Sequence, residues 1–241
     1  MHQDSHLQIG SFHTTHCEDS LIATSLTMDV ELLAVMDGCS SGTDCFFSAT
    51  MAAKLLRKIA NEMYHLDFRE PVQMPLAVLL EKVLSQFWTE LRSLVNQLQL
   101  SRNKLLFTLV IALVDIRRRT AEVLVVGDGY VGCNGTGQEF DQNNRPDYLG
   151  YHLAESFGEW WPQQRQHLQF TEVRDLSIST DGIFSFREAE KGLFPATSEQ
   201  EIVDKILHSP GKIKAKVAEI RSVYGLAPAD DLGILRIVLE G

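Results

Sequence analysis

Three apolar runs in this sequence end on the same dipeptide. "LLAVMDG" delivers Asp37-Gly38, "VLVVGDG" delivers Asp128-Gly129 and "LSISTDG" delivers Asp181-Gly182. Two acidic pairs fall at comparable places. Glu18-Asp19 in "HCEDS" stands where an early strand begins, and Asp230-Asp231 in "APADDLGILRIVL" stands just before the last one. A strand ending on Asp-Gly can aim a carboxylate into a site, while the glycine lets the backbone approach a ligand and offer its carbonyl. Several carboxylates converging on one spot repel each other and partly protonate unless a cation neutralises them. Oxygen donors without a matching His or Cys set favour Mg²⁺ or Mn²⁺ over Zn²⁺.

Asp-Gly is also a strong hairpin signal. For Asp128-Gly129 both readings stay open, because "VLVVG" and "YVGCN" could be the two arms. Asp37-Gly38 is followed by a helical pattern, and Asp181-Gly182 by "IFSFREAEKG", which reads as a loop and short helix.

The elements that must position these residues follow from hydrophobic periodicity. "HLQIGSFHT", "SLIATSL" and "VELLAVM" read as early strands. From Cys45 to Leu66, residues Ala49, Ala52, Leu56, Ile59 and Met63 mark one helix face. Pro71 and Pro75 interrupt the chain. A second helix runs to about Leu100 with Leu80, Val83, Phe87, Leu91, Leu94 and Leu98 on one stripe. "KLLFTLVIALVDI" predicts a strand buried on both faces. "RRRT" predicts a solvated turn, and "AEVLVVGDG" the returning strand. Residues Asn134 to Gln166 show no period, which predicts a long functional loop. Strands near 167–172 and 175–180, a helix capped by Ser198 with Glu201, a helix over 212–223 and a final strand complete the chain. Helices covering mainly antiparallel sheet make this one α+β domain over 1–241.

The bulk properties fit. The 241 residues carry a net charge of −10, which disfavours a broad nucleic-acid surface. "LLFTLVIALV" is too short for a bilayer span, and the N-terminus lacks a signal-peptide pattern. The four Cys (17, 39, 45 and 133) form no Cys-x-x-Cys pair, so reduced thiols in a cytoplasmic protein are expected, with no membrane partner.

Taken in order, Glu-Asp, apolar-Asp-Gly, Gly-Asp, Ser-Thr-Asp-Gly and a closing Asp-Asp resemble the metal-dependent serine/threonine protein phosphatases of type 2C, bacterial type. The resemblance covers nearly the whole chain, with Thr108 near the family's Thr-Leu signature. It implies two central antiparallel β-sheets flanked by pairs of helices, a four-layer sandwich with a metal centre at one edge. It also implies that Asp37 bridges two Mg²⁺ or Mn²⁺ ions and that Gly38 offers its carbonyl to one. Asp19, Asp181 and Asp230 would complete the set, and Asp128 would help to hold a possible third ion. The implied reaction is hydrolysis of phosphoserine or phosphothreonine by a metal-bridging water, with Asp37 and Asp19 acting through it. The implied partners are a phosphorylated protein and a cognate Ser/Thr kinase.

The pattern departs from the family in five places. Thr14 and Cys17 stand in the Arg and Asn positions before Glu-Asp, "CSSG" (39–42) replaces a Gly- or His-rich stretch, Asp231 stands in the Asn place and Gly233 in that of a Ser or Thr. The ligand set is kept while the substrate-handling set is thinned. The irregular region matches the family's flap in position. Arg145, Tyr148, Tyr151 and His152 are its candidate substrate contacts, and a packed loop anchored by Trp160 and Trp161 is the alternative. His6, His13 and His16 read as surface histidines rather than ligands. Beside the active phosphatase stand two other readings: a degenerate member acting as a regulatory or binding module, and another two-metal phosphoester hydrolase.

Overall fold

The computed structural model describes residues 1–39, 45–69, 74–143 and 145–239. Residues 40–42 of the "CSSG" stretch and Pro71 lie outside the described residues.

Two five-stranded antiparallel sheets form the centre. The first has the order β2 (Ser20–Ser25), β3 (Val30–Met36), β4 (Leu109–Asp115), β5 (Thr120–Val126), β8 (His167–Phe170). The second has the order β1 (His2–Gln8), β12 (Leu232–Val238), β9 (Asp175–Ser179), β6 (Gly129–Cys133), β7 (Thr136–Phe140). Helices α1 (Cys45–Arg69) and α2 (Leu76–Leu98) cover the first sheet, and the short α3 (Phe157–Trp160) packs on Trp88 of α2. The short α4 (Glu199–Val203), continued by a π-turn over Asp204–His208, and α5 (Ile213–Tyr224) cover the second. This is the expected four-layer sandwich.

Strand alternation builds three cores. In β3, Leu32, Ala34 and Met36 face α1 and α2, while Leu33 and Val35 face the other sheet. In β4, Leu109, Ile111 and Leu113 point to the helices, and Val110, Ala112 and Val114 pack towards Ile178, Leu235 and Ile237. The near-continuous apolar run in the sequence thus serves two cores at once. Ser198 caps α4 through the expected reciprocal bonds with Glu201. Asp115 accepts from the N–H groups of Arg117 and Arg118, and Arg117 pairs with Asp29 at 2.8 Å, so "RRRT" is a solvated turn.

Three expectations change. The strand read from "HLQIGSFHT" ends at Gln8, and residues 10–18 form a crossover between the sheets. The irregular region starts later than Asn134, because Asn134 and Gly135, at φ 52° and 87°, turn the β6–β7 hairpin. The hairpin reading of Asp128-Gly129 fails, because β5 and β6 belong to different sheets. A two-stranded ribbon of β10 (Phe186–Glu188) and β11 (Leu226–Pro228) was not anticipated. Among the described residues, no helix is long and apolar enough to cross a membrane.

Ile111 is fully buried in the helix-side core. Ile111→Ala is expected to lower the unfolding free energy by about 2–5 kcal/mol, measured by urea denaturation.

Candidate metal centre

Sheet register brings the carboxylates together. Ser20 pairs with Met36 across β2 and β3, so one step further along the same register Asp19 faces Asp37. In the second sheet Ser179 pairs with Tyr130 of β6, so one step beyond Gly129 and Thr180 Asp128 comes opposite Asp181. Asp230 precedes β12, which pairs Ile234 with Ser179. Five strand ends from two sheets therefore deliver Asp19, Asp37, Asp128, Asp181 and Asp230 to one edge of the sandwich.

Uncharged donors fix the backbone there. Thr108 at the mouth of β4 receives the Asp37 N–H on its Oγ1 at 3.3 Å and donates its own N–H to the Asp37 carbonyl at 2.8 Å. Gly38 bridges Phe107. Thr180, in the family's Ser place, donates its hydroxyl to Asp19 Oδ2 at 2.7 Å and accepts the Gly233 N–H at 3.0 Å. It ties the second sheet to the first sheet's carboxylate.

The electrostatics are those of crowded acids. Burial pushes Asp19 well above the ordinary carboxylate range. The Thr180 hydroxyl opposes the rise, and Asp181 and Asp231 add to it. Asp37 rises for the same first reason and then through Asp19, Asp181 and Asp230. Asp181 is raised to about 6 by burial, Asp230 and Asp128. Asp128 is raised by burial, against a hydrogen bond from the Gln142 N–H, with Asp141 adding to the rise.

Asp231 has a different task. Its side chain is buried and accepts the Gly10 N–H at 2.7 Å and the Glu18 N–H at 2.5 Å, with His13 Nδ1 at 2.8 Å. The carboxylate clasps both ends of the 10–18 crossover. A Cβ on Gly10 would fall 2.1 Å from the Asp230 carbonyl carbon, and one on Gly182 only 1.8 Å from the Asp231 carbonyl oxygen. Only glycine admits this approach. Sequence reasoning put Asp231 in an Asn place and missed the clasp; its signal was a second acid beside His13 and Gly10, residues distant in sequence.

The remaining candidates fall in three groups. His13 lies 4.0 Å from Asp230, at the rim, whereas His6 bonds Gln8 and His16 stacks on Phe46. Thr14 is exposed, and Cys17 is half-buried with its thiol pushed up to about 12 by burial, then by Asp19 and Asp231. Neither supplies the cation that the family's Arg provides. On the flap, burial raises the Tyr148 phenol, and the Cys39 side chain that it reaches and then the Asp37 charge add to the rise. Arg145 is exposed. His152 has Asp147 on one ring nitrogen and Glu155 on the other. Trp160 is buried against Trp88, with ring centroids 4.6 Å apart, so the flap is also a packed loop.

The donor set suits a hard divalent cation. Asp19 Oδ1 is buried and receives no hydrogen bond, and the groups that most strongly perturb Asp37 are other carboxylates. Among the described residues, no three His, Cys, Asp or Glu side chains are already drawn together as a ligand set.

Comparisons with known proteins agree with the fold. A family model described as Protein phosphatase 2C matches residues 3–215, and the chain belongs to that family. No curated protein matches it. Among solved structures, an arginine-substituted bacterial serine phosphatase is similar at 13% identity and TM-score 0.66, covering 100% of this chain and 99% of that one. The PP2C phosphatase domain of the cell-fate determinant SpoIIE from Bacillus subtilis, with a regulatory-domain fragment, aligns at 15% identity and TM-score 0.59. It covers 99% of this chain, which spans 63% of that one. RsbX in complex with magnesium aligns at 15% identity and TM-score 0.55, covering 98% and 94%. At these identities the likeness is one of fold.

Two outcomes follow. In chelator, Asp37→Asn should melt at a higher temperature than the wild type at pH 8, with the gap closing towards pH 5. The folded-state pKa values are raised, so the stability they contribute is complete below the unfolded value near 3.8. It is lost as pH rises through the folded ones, about 6 for Asp181. Asp231→Asn offers one acceptor oxygen where the clasp uses two, and should lower stability by about 1–3 kcal/mol in denaturant titration.

Proposed function

We propose that the whole chain, 1–241, acts as a cytoplasmic Mg²⁺- or Mn²⁺-dependent protein phosphatase that hydrolyses phosphoserine and phosphothreonine in a partner protein. A cognate Ser/Thr kinase would be its counterpart. The observation that carries this reading is the convergence of five carboxylates from both sheets, with Asp19 Oδ1 buried and unpartnered. The PP2C family membership supports the reaction class.

Asp37, Asp19, Asp181 and Asp230, with the Gly38 carbonyl, would hold two cations, and Asp128 would hold part of a weaker third site. When bound, such ions supply the bridging nucleophilic water and offset charge on the phosphoryl oxygens. The protein's share is preorganisation. Thr108 fixes the Asp37 peptide, Thr180 orients Asp19, and the Asp231 clasp holds the crossover that leads into Asp19. Tyr148, beside Cys39 and Asp37, and exposed Arg145 would be the flap's contacts with the phosphoprotein.

The absence of the family's Arg at Thr14 favours one second reading, a member that keeps the fold and serves as a binding or regulatory module. One assay separates them. Hydrolysis of p-nitrophenyl phosphate and a phosphothreonine peptide is measured with EDTA, Mg²⁺ or Mn²⁺. Metal-dependent turnover that falls more than about 100-fold in Asp37→Asn is expected, beyond the range that supporting residues reach. A folded protein inactive with every metal would leave the module reading in front.

A further inference from the structure

An unbroken set of hydrogen bonds runs from helix α2 through the flap to Asp128. At the helix end, Arg92 and the Trp88 indole donate to the Glu155 carbonyl at 3.1 and 3.4 Å. Glu155 Oε1 meets His152 Nδ1 at 2.8 Å, and the other ring nitrogen, Nε2, meets Asp147 Oδ1 at 2.7 Å. The Asp147 N–H donates to the Gln142 side-chain oxygen at 2.6 Å. The Gln142 side-chain amide donates to Gln166, which itself donates to the Gly127 carbonyl at 2.8 Å. Finally, the Gln142 N–H donates to Asp128 Oδ1 at 2.8 Å.

We propose that His152 is a positioning residue: by bridging Asp147 and Glu155 it fastens the flap to α2 and so holds the Gln142 N–H on the Asp128 carboxylate. This replaces the expectation that His152 touches substrate, because both ring nitrogens are already engaged by protein carboxylates. A neutral imidazole has one N–H and can donate to only one of them, so the bridge needs the imidazolium form. Burial alone would lower its pKa, but the hydrogen bonds to Asp147 and Glu155 outweigh that and raise it. From other elements, Arg92 of α2 reaches the Glu155 carbonyl, and Arg165 lines the same cleft. The latch stands on this geometry alone; its consequence for cation binding rests on the phosphatase reading.

Hydrogen exchange by mass spectrometry on the metal-free protein tests the latch without any need for turnover. His152→Gln should exchange about tenfold faster across 141–155 and at the residues flanking Asp128, with β3, β4 and α1 unchanged. His65→Gln, an exposed histidine of α1, should behave as wild type. Asp147→Asn, at a half-exposed side chain, should reproduce the loosening should His152→Gln fold poorly. The double variant should add little, as expected for one network. In the wild type, after correction for intrinsic exchange, flap protection should be complete below about pH 6.5 and fall as pH rises through the raised imidazole pKa. Wild-type protection around Gln142 and Asp128 in both variants would overturn the proposal and leave Trp160 on Trp88 as what holds the flap. In turnover assays, the Mn²⁺ concentration for half-maximal rate should rise about tenfold in His152→Gln, with a smaller effect on kcat. Turnover with unchanged Mn²⁺ dependence would break the link from the latch to Asp128. No turnover in any of the proteins would count against the phosphatase reading, while the exchange result still decides the latch.

Discussion

The repulsion among Asp19, Asp37, Asp181, Asp230 and Asp128 is the constraint on which the rest of this structure depends. Each is buried or half-buried; burial and other members of the set push up the pKa of Asp19, Asp37 and Asp181, and burial and Asp141 push up that of Asp128. A mobile loop without a bound cation would move apart to solvate each carboxylate. Strand ends can hold the set. Each acid lies within two residues of the end of a strand that packs into the cores, so moving one carboxylate means disturbing Leu33 and Val35, or Ile178 and Leu235. The sandwich geometry is the restoring force against the electrostatics.

The groups next to the cluster follow from the same constraint. A lysine or arginine among the acids would quench the charge that a cation is meant to meet. The partners that hold the acids in place are hydroxyls and backbone N–H groups: Thr108 and the Asp37 peptide, Thr180 and Asp19, the Gln142 N–H and Asp128. These orient oxygen atoms without neutralising them. Asp231 shows the contrast. It stands beside Asp230 in sequence but accepts two backbone N–H groups and lies against His13, so its charge is spent on closing a loop.

Much of this was legible in the sequence because it depends on local pattern. Apolar runs ending in Asp-Gly mark strand ends, and the β4 run identifies a strand buried on both faces. The Ser198–Glu201 box marked a helix start. What was missed depends on pairing between distant segments. A hairpin stayed open at Asp128-Gly129 because its two flanks are both strands, and nothing local says that they join different sheets. The true hairpin, at Asn134-Gly135, carried the usual signal but lay in a stretch read as loop because "TGQEF" is wholly polar apart from Phe140. An edge strand exposed on four of its five residues has no apolar alternation to display. The capping box of Ser156 and Glu159 was hidden in the same stretch, starting a helix too short to show a period.

The departures from the family pattern are structurally coherent with one another. Where the family carries Arg and Asn ahead of Glu-Asp, this chain has an exposed Thr14 and a protonated Cys17. Removing a guanidinium from that crossover removes a group that could have anchored it, and the Asp231 carboxylate, in the Asn place, supplies the anchor instead. An Asn side chain has one acceptor oxygen and could not take both the Gly10 and Glu18 N–H groups in the same way. The exchange ties down the entry to Asp19 without a guanidinium in the N-terminal segment. The flap is the opposite wall of the site, with Tyr148 at Cys39 and its main chain on Asp128. Its aromatic anchor on α2 and its carboxylate–imidazole bridge give it order, and under the proposed function it would be the wall that reads substrate.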